Sequence, residues 1–104
     1  MAKLYFVGSS QDDLRAFPAL VRQHIGLELW RVQKGDMPTD FKPMPSVGRG
    51  VYEIRVRLDG AWRVLFVVRH GEGIFVLHAF KKKTEKTAAS DILLGKQRLR
   101  LIEA

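Results

Sequence analysis

Arg55, Arg63, His78 and Lys82 are the residues of this 104-residue chain whose types and spacing suit chemistry. The chain has no Cys, which excludes disulfides, thiolate catalysis and Cys-based zinc sites. Its three His are scattered, with no His-x-x-x-His pair, so no metal centre is expected. No pair of acids is placed for glycoside hydrolysis. Ser9 and Ser10 lack a Gly-x-Ser-x-Gly context, and no phosphate-binding glycine loop is present. A metal-free His/Arg/Lys site without a cofactor remains. Those side chains suit cleavage of a phosphodiester by the neighbouring 2′-hydroxyl. One group takes the 2′-OH proton, cations hold the phosphorane oxygens, and another group protonates the leaving 5′-oxygen. The need for a 2′-OH restricts such chemistry to RNA.

Strand parity decides whether the four residues meet. Residues 52–58 alternate, with Tyr52, Ile54, Val56 and Leu58 against Glu53, Arg55 and Arg57; Trp62 to Val68 is the partner run. A two-residue Asp59-Gly60 turn would put Arg63 on the face of Ile54 and Val56. A three-residue loop, Leu58-Asp59-Gly60, with Gly60 in the left-handed position, instead pairs Tyr52 with Phe66, Ile54 with Val64 and Val56 with Trp62. One face is then wholly apolar, and the other sets Arg55 directly across from Arg63, flanked by Glu53 and Arg57. Like charges so placed repel. Either an anion sits between them or Glu53 bridges them on a solvated face. Gly71-Glu72-Gly73 marks the next turn, and Ile74 to Phe80 is the third strand. A two- or four-residue loop there brings His78 onto the Arg55/Arg63 face, with Lys82 at the same parity. An odd loop buries His78 in the core.

Leu4 to Val7 reads as a strand. Ser9 or Ser10 can cap a helix carrying Leu14, Phe17, Leu20, Val21 and Ile25 at helical spacing, with Pro18 kinking or restarting it. Gly26 is a plausible stop before a second, shorter helix with Leu27, Trp30 and Val32 turned inward. Between Asp36 and Gly50, three prolines and two glycines predict a long loop without regular structure, bearing Lys42 and Arg49. Thr87 can cap a last helix whose Ala88, Ile92, Gly95, Leu99 and Ile102 share one face. The order β-α-α-β-β-β-α predicts one α+β domain over residues 1–104, a small antiparallel sheet with helices packed on one face.

The composition fits this: 46% hydrophobic and 28% charged residues make a globular chain. The longest apolar run, Val64 to Val68, is too short to span a membrane, and the first residues reach Gly8-Ser9-Ser10 too early for a signal peptide. A cytoplasmic home is compatible with the lack of Cys. A net charge of +7 suits a polyanionic partner. Lys81-Lys82-Lys83-Thr84-Glu85-Lys86 leaves the last strand beside the arginine face. With Lys42, Arg49 and Arg57, it predicts a continuous cationic surface in which Lys42, Arg49, Arg57, Lys81, Lys83 and Lys86 bind the RNA backbone.

The stretches Asp40-Phe41-Lys42-Pro43-Met44, Val47-Gly48-x-Gly50-Val51-x-Glu53-Ile54-Arg55, Trp62-Arg63-Val64 and Val76 to Thr84 together resemble one family. Val32-Gln33-x-Gly35-x-x-Pro38 fits the same pattern. From Phe6 to about Arg98 the chain resembles the phage-derived, HigB-like branch of the RelE/ParE toxin superfamily. The resemblance implies the toxin of a type II toxin–antitoxin pair. Its expected partners are a helix-turn-helix antitoxin encoded beside it, mRNA on the ribosome, and operator DNA through the antitoxin complex. RelE- and HigB-like members cleave mRNA in the ribosome; ParE-like members inhibit DNA gyrase instead. A third reading is an inactive homologue that only binds nucleic acid or protein. Basic residues of the cleaving toxins align with Arg55 and Arg63, and the cation after the last strand with Lys82, or with Lys83 if the register shifts by one. The chain departs from the pattern at Glu53, which is basic in some members. It also lacks a Tyr or His after the lysine run.

Overall fold

The continuous apolar character of Val64 to Val68 and Ile74 to Phe80 demands cover on both faces of a sheet. The computed structural model, which describes residues 1–103, supplies it. The strands are β1 (Leu4–Phe6), β2 (Phe41–Pro43), β3 (Val51–Arg57), β4 (Ala61–Arg69) and β5 (Gly73–Lys82). The helices are α1 (Ser10–Arg15), α2 (Ala19–Gln33) and α3 (Ala89–Glu103). The sheet order is β1-β5-β4-β3-β2, with β1 parallel to β5 and every other pair antiparallel. The fold is α+β, as the element order predicts, but the sheet is mixed and not wholly antiparallel, because β1 joins β5 in parallel.

The helices do not share one face, contrary to expectation. Val21, Ile25, Leu29 and Val32 of α2 pack with Ile54, Val64, Phe66 and Val76 on one side. On the other, α3 and the β2–β3 loop close over Leu65, Val67, Leu77 and Phe80 through Leu99, Met44 and Val47. Gly95 lets α3 approach closely: a Cβ there would lie 3.0 Å from both Leu65 and Val47.

Three local expectations also change. Pro18 restarts the helix, at the N-cap of α2, but Gly26 does not end it. A mid-helix Gly costs about 1 kcal/mol, whereas burying Leu29 and Val32 beyond it returns roughly 1.5–3 kcal/mol each. The breaker-rich loop contains a short strand, β2, paired with Tyr52 to Ile54. Pro43 is tolerated because β2 is an edge, where a missing N–H breaks no inner ladder. Thr87 does not cap α3. Ala88 carries the first helical carbonyl, accepting from Asp91 and Ile92, and the Thr87 hydroxyl is engaged elsewhere.

The β3–β4 register is the one expected from a three-residue loop: Tyr52 opposite Phe66, Ile54 opposite Val64, Arg55 opposite Arg63, Val56 opposite Trp62. Both Asp59 (φ 50°) and Gly60 (φ 138°) take positive φ in that loop. The next loop is neither two nor four residues. Arg69 pairs with Gly73, leaving the odd loop His70-Gly71-Glu72. An odd loop alone would turn His78 to the α2 side. A β-bulge reverses this: Phe66 pairs with Val76 and Leu65 with His78, so Leu77 is the extra residue and the parity of β5 flips. The bulge has its own support. Arg98, 8% exposed, donates from Nη1 to the Leu77 carbonyl at 2.9 Å and from Nη2 to Ser9 Oγ at 2.7 Å.

Candidate nucleic-acid interface and active site

Past the bulge, His78, Phe80 and Lys82 lie on the α3 side of the sheet, in register with Leu65, Arg63 and Ala61. Arg55 and Glu53 share that face through their pairing with Arg63 and Leu65, and Lys42 joins it opposite Glu53. Arg55, Arg63, His78 and Lys82 therefore do converge at the hairpin end of one face.

They differ sharply in depth. Arg63 is 1% exposed and Glu53 2%. Arg63 Nε lies 3.4 Å from Glu53 Oε1, and Nη1 donates to the Trp62 carbonyl at 3.0 Å. Thr87 Oγ1 donates to Glu53 Oε2 at 3.0 Å, so the segment leaving β5 closes over the pair. Burial pushes the Arg63 guanidinium below its usual range, against the pull of Glu53. Arg55 is only part-buried, with Asp40 Oδ1 3.9 Å from its Nε. The two facing arginines are thus relieved by separate carboxylates, Glu53 beneath and Asp40 at the rim. The Glu53 bridge anticipated from sequence reaches Arg63 only.

His78 is also covered. It is 6% exposed, and its ring stacks on Phe80 with centroids 4.7 Å apart. Its Nε2 sits 2.7 Å from Asp91 Oδ1, while its Nδ1 is buried without a partner. The contact fixes the orientation of the imidazole against the start of α3. The group that meets solvent is Asp91, on the first turn of α3. It lines a cleft of about 310 Å³ together with Lys82, Lys83 and Ser90. Sequence reading passes over Asp91, because nothing short of the fold places the start of α3 beside residue 78; its one local signal, an acid in a helix's first turn, is what any helix favours.

Lys82 is the titratable group at the mouth of this arrangement. Partial burial and the neighbouring charges of Arg63, Arg55 and Lys42 lower its pKa, with Glu53 opposing. A lysine shifted in this direction gives up its proton more readily than a free one. Around it, Lys42 and Arg57 are exposed on the same face, and Lys83 and Lys86 on the following loop. Lys81 differs: its parity is that of Trp62, and its ammonium lies over the indole ring, 5.2 Å from the centroid, on the α2 side. Arg49 is the outlier. It lies at the far end of the sheet, in a separate cleft with Arg69, Lys96 and Arg100. The cationic surface is therefore two patches and not one.

Among the described residues, no three His, Asp or Glu converge as ligands for a metal ion, and no helix is long and apolar enough to cross a membrane. What the site can do is bind an anion among Arg55, Lys42, Arg57 and Lys82, and exchange protons through Lys82 and Asp91.

Compared with known protein families, residues 12–100 match the family described as phage-derived protein Gp49-like (DUF891). No curated protein matches the chain.

Proposed function

The chain belongs to the phage-derived Gp49-like family, a RelE/HigB-like toxin family, and from this we propose that it is the toxin of a type II pair and cleaves mRNA on the ribosome. The observation that carries the enzymatic reading is Lys82. It sits at the end of β5 with a lowered pKa, shares a cleft with Asp91, and neighbours Arg55 on the same sheet face.

In this reading the RNA phosphate lies against Arg55, with Lys42 and Arg57 holding the flanking backbone. Asp91, held by His78, accepts the 2′-OH proton. The 2′-oxygen attacks phosphorus, and the P–O5′ bond breaks to leave a 2′,3′-cyclic phosphate. Lys82 protonates the departing 5′-oxygen. The Arg55 guanidinium stabilises the phosphorane with a forked pair of donors. Arg63, Glu53 and His78 act from beneath as positioning residues. The partner is a neighbouring antitoxin, whose acidic segment the +7 chain would attract with a salt-sensitive on-rate, and operator DNA is reached through that complex. The compartment is the cytoplasm, where translating ribosomes are.

The test is induction of the chain in a bacterial host with mapping of transcript 5′ ends. Codon-phased breaks in translated mRNA, lost in Lys82→Ala, support the proposal. Intact mRNA with supercoiling defects refutes it in favour of a gyrase inhibitor. Failure of the chain to co-elute with the adjacent gene product at physiological salt refutes the partner.

A further inference from the structure

Arg49, Arg69, Lys96 and Arg100 come from three separate parts of the chain and surround one cleft of about 510 Å³. Arg49 sits on the β2–β3 loop, Arg69 at the end of β4, and Lys96 and Arg100 on α3. Among the described residues Glu103 is the one acid at the cleft, and it is engaged by Arg69 at 3.7 Å. Arg49, Lys96 and Arg100 are exposed, and none of them has an ion-pair partner among the described residues. Lys96 and Arg100 are four residues apart on one helix, a like-charge spacing that destabilises the helix. The dipole of α3 turns its negative end toward this cleft, so side chains alone supply the positive field. Arg100, in the last turn, suits that dipole; Lys96, a turn earlier, gains less from it. With Arg69 paired to Glu103, Arg49, Lys96 and Arg100 form a concentrated field that no side chain among the described residues neutralises.

We infer that this cleft is a second binding site for the phosphate backbone of RNA, separate from the candidate cleavage cleft. Along β4, Arg69 lies six residues from Arg63, or about 20 Å, so the two sites engage different phosphates. The cleft reads charge and not sequence, since it offers cations and no aromatic platform for a base. A protein segment would look elsewhere. The larger groove of about 980 Å³, lined by Met1, Tyr5, Met37, Tyr52, Val68 and Phe75, has the apolar character that an amphipathic peptide needs. The choice of RNA over other polyanions rests on the proposed function; the anion site itself does not.

The experiment compares the full chain with a Lys96→Gln/Arg100→Gln variant, using a fluorescein-labelled single-stranded RNA of about 20 nucleotides and a deca-glutamate peptide as probes. Losing two phosphate contacts lowers the slope of log K against log salt by about 1.4, which is roughly 25-fold in affinity at 0.1 M salt. Thermal unfolding should not occur earlier, because both side chains are exposed and their mutual repulsion is removed. Unchanged RNA affinity and slope overturns the inference. So does a loss confined to the glutamate peptide, which assigns the cleft to an acidic protein. Cleavage of translated mRNA by the unaltered chain is scored separately, so this site and the proposed reaction stand or fall independently.

Discussion

Replacing Arg63 by Ala should unfold this protein more readily than it should damage a surface site. The side chains of Arg63 and Glu53 are 1% and 3% exposed and pair at 3.4 Å. Without the guanidinium, a buried carboxylate keeps the Thr87 hydroxyl as its one side-chain hydrogen-bond partner. Breaking one side of a buried ion pair costs about 3–5 kcal/mol. Set against a total stability on the order of 5–15 kcal/mol, that is a large share. At about 4–8 °C per kcal/mol for a domain of this size, the unfolding midpoint should fall by roughly 12–40 °C. The strand pattern alone, by contrast, makes Arg63 one of four site residues set across from a like charge, so that its removal would relieve a repulsion with Arg55. A Glu53→Met/Arg63→Met double variant separates the two views. Both charges leave together there, so it should recover most of the lost stability. The assay is far-UV circular dichroism on heating, for the wild type, each single variant and the double variant. An Arg63→Ala protein melting within about 4 °C of wild type, the shift of less than one kcal/mol, would refute the reasoning.

Other outcomes follow from the same geometry. Lys82→Gln should cut RNA cleavage on the order of 10²–10³-fold without lowering the thermal midpoint, measured by transcript mapping and melting. The lowered pKa of Lys82 fixes a sign: the folded chain releases this proton more readily than the unfolded chain. Its penalty is therefore present at neutral pH and relieved as pH rises toward 10.5, so wild type should gain stability relative to Lys82→Gln over that alkaline interval. A flat difference between the two melting curves would contradict this. Arg98→Met leaves the Leu77 carbonyl at the bulge without its charged donor; a loss of about 1.5–3 kcal/mol in urea unfolding, with reduced cleavage, is expected. Gly48→Ala would drive a Cβ into Leu99 Cδ2, and overpacking there should cost about 1–3 kcal/mol in the same assay.

The legible part of this protein is its central hairpin. Alternation over residues 52–58 and the loop ending in Gly60 determine a register, because a one-residue slip turns an arginine into the α2-side core. Period-2 patterning and one turn suffice for that, and both are local. The family likeness is local in the same sense, carried by short stretches such as Trp62-Arg63-Val64. Depth was not legible. Arg63 and Arg55 look equivalent in sequence, yet the segment carrying Thr87 and Ala88 covers one and leaves the other at the rim. The parity of His78 was decided by a single extra residue, Leu77, and by Arg98, far along the chain, which satisfies the carbonyl that the bulge exposes. Asp91 and the cleft around Arg49 and Lys96 likewise arise only where α3 lies across the sheet. Patterning reports which face a side chain takes within its own strand. What covers that face, and which charges are thereby buried, separated or brought together, depends on segments distant in sequence, whose contacts only the packed chain determines.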